Sequence, residues 1–133
     1  NWIQIGDDIY GESLGDFSGI SVSLSADGTI VAIGADNNAN AQGASGHVRV
    51  YENTGGTWTQ VGQDLDGIAS FDKFGYTVSL NQNGSVVAIS AVNSDSAGAD
   101  SGQVSVFENQ GGNWVQLGNN IDGEAAGDKF GFS

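Results

Sequence analysis

The sequence repeats itself every 56 residues, and this period constrains the fold more than any other feature. Trp2, Trp58 and Trp114 open the strings WIQIG, WTQVG and WVQLG. Asp16, Asp72 and Asp128 keep the same spacing, as do Gly19, Gly75 and Gly131. Residues 2–57 align on 58–113 without a gap, with 25 identities in 56. Residues 114–133 match 58–77 at 10 of 20 positions. The chain therefore holds two full copies and the opening of a third, and copies without insertions imply one structural unit repeated in tandem.

Within one copy the apolar pattern is that of strands. Trp58–Val61 is short and starts on an aromatic residue. Tyr76–Leu80 and Gln103–Phe107 alternate apolar and polar residues, as half-buried strands do. Ser85–Ala91 is almost continuously apolar, as a strand covered on both faces would be. Asn83-Gly84, with Asp27-Gly28 one copy earlier, is a two-residue hairpin signal, and Gly55-Gly56 and Gly111-Gly112 mark further tight connections. No stretch carries a helical period. Four short antiparallel strands in about 56 residues is the sequence form of a β-propeller blade. The expectation is all-β: two full blades plus parts of two flanking ones. Residues 2–17 supply an outer strand and connection of a preceding blade. Residues 18–65 and 66–121 form complete blades, and 122–133 start the next. Propellers need about four or more blades to close, so the stretch is expected to be part of a longer array, or else a unit that assembles with copies of itself.

Charge and composition narrow the function classes. The net charge is −13, from 16 acidic residues against 3 Lys and Arg. Nucleic acid and anionic membrane surfaces prefer the opposite sign. No apolar run approaches the ~20 residues of a membrane helix, and an exported form is expected to carry its signal outside this stretch. With no Cys and one His, thiol chemistry and His-rich zinc sites are excluded. His47 has no nearby nucleophile signature and reads as a solvated strand-edge residue. Asn83-Gly84-Ser85 spells a glycosylation sequon that the hairpin turn also explains. No catalytic constellation is in outline, so an enzyme is not expected.

The string Asp72-Lys73-Phe74-Gly75-Tyr76-Thr77-Val78, followed by Val86-Val87-Ala88-Ile89-Ser90-Ala91, resembles the FG-GAP repeat of integrin-α-type β-propellers. The Phe-Gly pair recurs as Phe130-Gly131, while the first copy reads Ser18-Gly19. The Gly-Ala-Pro element appears as Gly34-Ala35-Asp36 and Ser90-Ala91-Val92, without the Pro. The resemblance implies that FGYTVSL is the innermost strand of its blade and WTQVG the outermost. It also implies a non-catalytic extracellular or cell-surface module that binds a protein or a glycan. The family's DxDxDG calcium loop is not carried over, because Ser25–Thr29 and Asn81–Ser85 are too short and too poor in carboxylates.

An up-and-down meander puts alternate turns at opposite ends of the sheet. The long connections then share one end, and 13 of the 16 acids fall in them, all except Asp27, Glu52 and Glu108. Solvation of an acidic face is one reading of this crowding. A weak calcium site built from Asp64, Asp66 and Asp72 in DLDGIASFD is the other, although the string is not an EF-hand. The period-keeping Asp also fits a turn role, accepting backbone N–H bonds before the inner strand. The one Trp per copy reads as packing between neighbouring sheets rather than as a carbohydrate-stacking row. A structural alternative remains: a repeat building block of a surface filament, sheath or wall.

Overall fold

A computed structural model describes residues 1–39 and 43–133, and among them there are ten strands and no helix. Four strands form the first meander: β1 Ser21–Leu24, β2 Ile30–Ala35, β3 His47–Thr54 and β4 Thr57–Gln60. A two-residue strand, β5 Leu65–Asp66, then returns to pair with His47 and Val48 of β3. The second copy repeats this plan. Its strands are β6 Phe74–Leu80, β7 Val86–Ala91, β8 Gln103–Gln110 and β9 Asn113–Gln116, with β10 Ile121–Asp122 back on Gln103 and Val104. Every strand pairing is antiparallel. Within each meander a strand pairs with the next in the chain, while β5 returns to β3 and β10 to β8. The chain is thus two separate sheets of one topology, each ending one residue later than the expected boundaries at 65 and 121.

The turns follow from loop length. Gly55-Gly56 and Gly111-Gly112 are left-handed at both positions, with φ of 62° and 92°, and 66° and 95°. They join Thr54 to Thr57 and Gln110 to Asn113, as primed two-residue hairpins do. Asn83-Gly84 was expected to make such a hairpin and does not. The connection runs from Asn81 to Ser85, and of the pair only Gly84 has positive φ. Asn83 instead accepts from Ser85 N at 3.1 Å and Ser85 Oγ at 2.6 Å. Asp27 does the same one copy earlier, with Thr29 N at 3.0 Å and Thr29 Oγ1 at 2.8 Å. Those bonds, led by the one from Thr29 N, bring the Asp27 carboxyl down to about 2.

The two sheets lie face to face, with β6 against β1, β2 and β3. Between and around them sits one core: Ala32, Val48, Val50, Leu65, Phe74, Val87, Ile89, Ala91 and Trp114. Burying each large aliphatic side chain here is worth about 1.5–3 kcal/mol. Gly75 explains why the Phe-Gly pair matters. A Cβ on Gly75 would lie 2.6 Å from the carbonyl oxygen of His47, and one on Gly34 would lie 2.1 Å from that of Gly75. The backbones touch, so neither position tolerates a side chain without a shift. Ser21 Oγ donates to Gly75 O at 2.8 Å, and Leu80 N donates to Ser23 Oγ at 2.9 Å.

Two expectations change. Trp2–Ile5 forms no strand, because no strand lies beside it to complete a ladder, and residues 1–20 contain none. Trp2 is fully exposed, Trp58 half-buried and Trp114 only 4% exposed, so the packing role belongs to the copies that have a neighbour. His47 is not a solvated edge residue but is 5% exposed. It pairs with Ala35 on one side and Asp66 on the other, and the short strand β5 covers the edge it was expected to show.

Candidate functional site

The long connections meet at one end of the sheets and are stitched together there. Asn37 N donates to Asp16 O at 3.3 Å and Asn93 N to Asp72 O at 3.1 Å, one period apart. The Asp16 carboxylate accepts from Ser13 N at 3.0 Å and Asn38 Nδ2 at 2.8 Å. Asp128 accepts from Ala125 N at 2.8 Å. The period-keeping Asp is therefore a turn clamp in these two copies. The position after it is left-handed in all three copies, at Phe17, Lys73 and Lys129. Two of these strained residues are cations, and each is tied to the end it sits on. Lys73 Nζ reaches Asp36 Oδ2 at 3.0 Å, and Lys129 Nζ reaches Asn93 Oδ1 at 3.0 Å and Asp100 at 3.6 Å.

The three carboxylates expected to hold calcium go to different tasks. Asp64 is bidentate with Arg49, Nε to Oδ1 at 2.8 Å and Nη2 to Oδ2 at 2.7 Å, and also accepts from Gln60 Nε2 at 2.6 Å. Arg49 bridges on to Glu12. Asp66 lies in β5 opposite His47. Asp72 stands half-buried in the next turn, its carboxyl pushed up by burial and by Asp95. Among the described residues, only Glu12, His47 and Asp64 place ligand atoms within 4.8 Å of one another, so Asp64, Asp66 and Asp72 are not brought together. A guanidinium already engages two of those three residues. Its hydrogen bonds hold Asp64 below the usual carboxylate range, whereas His47 is held down by burial and then by the Arg49 charge.

The second copy replaces this charged tie with a neutral one. Ser105 stands where Arg49 does and Asn120 where Asp64 does, and Ser105 Oγ donates to Asn120 Oδ1 at 2.7 Å. Gln116 Nε2 donates to the same oxygen at 2.5 Å, as Gln60 does to Asp64. Asp64 is thus one version of a repeated brace between the third strand and the connection that follows it. The cleft beside the brace is nearly filled in the first copy, about 10 Å³ between Tyr10, His47, Arg49 and Tyr51. In the second it is about 40 Å³ between Asp66, Asp72, Gln103, Ser105 and Phe107. That space takes a water or two and no larger ligand.

A larger hollow, about 280 Å³, opens on the outer edge of the first sheet between Asp7, Asp8, Tyr10, Tyr51 and Trp58. The matching positions of the second copy include Leu65 and Trp114, both 4% exposed, and are closed. The hollow is the first-copy counterpart of the Trp114 seat. No protein-family model and no curated protein matches the chain.

Proposed function

We propose that the chain is a run of β-propeller blades of the FG-GAP, integrin-α-like kind. It works as a non-catalytic extracellular or cell-surface module that binds a protein or glycan through its acidic end. The observation that carries this reading is the gathering of the long connections at one end of two stacked meanders. There Asp95, Asp122, Glu124 and Asp128 stand exposed. Such an end attracts cationic patches on a protein, or offers paired acceptors to hydroxyl groups. The innermost strand of each blade is then β1 or β6, and the outermost β4 or β9. The purified chain on glycan and matrix-protein arrays tests the reading. Binding that falls at least tenfold in a triple Asp95→Asn, Asp122→Asn, Glu124→Gln variant supports it. Equal binding by both proteins, or none by either, overturns it.

A second reading has its own observation. Val22 and Leu24 of β1 are 63% and 59% exposed, although their counterparts Val78 and Leu80 pack on the core. Open apolar sheet faces favour a structural building block of a filament, sheath or wall. Polymers of the purified chain under the electron microscope support it, and isolated particles contradict it.

A further inference from the structure

The connection from the first sheet to the second departs from its own repeat. Ile68 stands where Glu12 and Glu124 stand in the other copies, and Phe71 where Gly15 and Gly127 stand. Gly15 and Gly127 are left-handed, with φ of 88° and 81°, a conformation that a residue without Cβ adopts readily. Phe71 takes the same conformation, at φ 68°. For a bulky side chain that backbone is strained, and the glycines of the other two copies show that the turn itself does not require a Phe.

The strain gains no burial. Ile68 is 77% exposed and Phe71 70%. Between residues 25 and 114, no other large apolar side chain is exposed among the described residues. The neighbours of this connection are in place on both sides. Gly67 N donates to Gly46 O at 2.9 Å and Phe71 N to Ala44 O at 3.0 Å, on the side of the first sheet. Asn93 N donates to Asp72 O at 3.1 Å, on the side of the second. Ile68 and Phe71 therefore stand exposed on an anchored loop. A strained, exposed apolar pair on a fixed support adds nothing to the core and suits a contact surface.

The charge around the pair selects what covers it. Asp66 is exposed just before it. Asp72 follows it, half-buried, its carboxyl pushed up by burial and by Asp95. Ile68 and Asp72 line the same cleft. A second copy brings −13 of its own, and an anionic bilayer repels the acids as well. A sugar ring stacks on a Phe but finds neither an aromatic face nor a hydrogen bond at Ile68.

We infer that Ile68 and Phe71 are the apolar anchor of a protein-binding site, whose partner is a protein surface with an apolar pocket rimmed by Lys or Arg. The aromatic ring and the branched aliphatic side chain fill the pocket, and the basic rim meets the acids beside them. A cation brought up to Asp72 also relieves its crowding by Asp95. The site rests on the binding role proposed above and narrows its partner to a protein.

The full chain on matrix-protein and glycan arrays, and on phosphatidylcholine vesicles, tests it with two variants that install the residues of the other copies. Phe71→Gly relieves the left-handed strain and Ile68→Glu restores the acid of the repeat, so both are expected to melt no lower than the wild type. The wild type is expected to bind at least one array protein, and each variant to bind it at least about tenfold more weakly. Ile68→Glu adds an acid, which would tighten a contact made by charge alone, so its loss of binding reports the apolar contact. Protein binding that both variants keep and the triple acidic variant loses overturns the anchor and leaves the acidic-end reading standing. Wild-type binding to glycans or vesicles alone overturns the protein partner. No binding on any surface overturns both the anchor and the acidic-end reading.

Discussion

Trp114 and Val61 are joined by a hydrogen bond from the indole Nε1 to the carbonyl oxygen, 2.9 Å long. Trp58 makes the same bond, at the same length, to Ile5 one repeat earlier. Gln63 completes the seat of Trp114, with Nε2 to Trp114 O at 2.8 Å and Oε1 accepting from Trp114 N at 3.1 Å. Each tryptophan thus ties its outer strand to the equivalent stretch of chain one repeat earlier, and Trp114 is a buried mass as well.

Trp114→Ala is expected to cost about 3–5 kcal/mol, from the lost burial and the cavity left behind. Trp114→Phe keeps most of the bulk and loses the donor, so about 1–3 kcal/mol is expected for the orphaned Val61 carbonyl. Trp2→Ala should be neutral, since that side chain is fully exposed. Urea denaturation followed by circular dichroism measures all three. Equal losses at Trp2 and Trp114 would refute the tie.

Gly75 and Gly19 separate backbone strain from sheet contact. Their φ values are 90° and 91°, so an Ala at either carries about the same left-handed penalty. Only at Gly75 would the new Cβ meet another sheet, and nothing lies within 4 Å of the Cβ built at Gly19. Gly75→Ala is expected to destabilise the chain by at least about 2 kcal/mol more than Gly19→Ala, as overpacking does. Thermal melting of the two variants reads the difference directly.

The Arg49 brace predicts a pH dependence of definite sign. His47 lies below its ordinary range when folded, so in mild acid the unfolded chain binds the proton first. Stability is therefore lost as pH falls below about 6.5. Asp64 also lies below its ordinary range, and its contribution is present above about pH 3.9 and lost on further acidification. Asp72, raised by burial, opposes this in the carboxylate range alone. The Tm should rise between about pH 5 and 7. His47→Gln, which installs the residue found at Gln103, should flatten that rise and leave the steeper loss in stronger acid.

Calcium should leave the melting of the wild type unchanged, because Arg49 engages both Glu12 and Asp64. Arg49→Ala frees Glu12, His47 and Asp64, whose ligand atoms lie within 4.8 Å of one another. That variant is expected to melt lower than the wild type and to regain stability on adding zinc, a metal suited to a His and two carboxylates. Calorimetry with and without the metal measures both effects.

The strands were legible because their apolar alternation repeats in two copies, and Val48–Val50 and Val104–Val106 gave the same face twice. The two-residue strands β5 and β10 were not, since Leu65-Asp66 and Ile121-Asp122 are too short to show any period. Without β5 beside it, His47 would stand on an open sheet edge. Gly55-Gly56 and Gly111-Gly112 turn as expected, whereas Asp27-Gly28 and Asn83-Gly84 sit in the longer connections 25–29 and 81–85, where the Asp or Asn side chain bonds the backbone two residues on. The brace did leave a signal: Arg49 becomes Ser105 in step with Asp64 becoming Asn120. Asp64 also stands close to Asp66 and Asp72 in the sequence, a more conspicuous grouping than its pairing with Arg49.

The central claim is that successive repeats stack as sheets through their glycine and serine backbone contacts. Nuclear Overhauser measurements on the labelled chain test it most directly, since a Cβ built on Gly75 lies only 3.3 Å from Gly34 Cα. The account predicts a strong cross-peak between the Hα protons of Gly34 and Gly75, with a slowly exchanging Trp114 indole N–H. Two folded sheets with no Gly34–Gly75 cross-peak and a freely exchanging indole would contradict it.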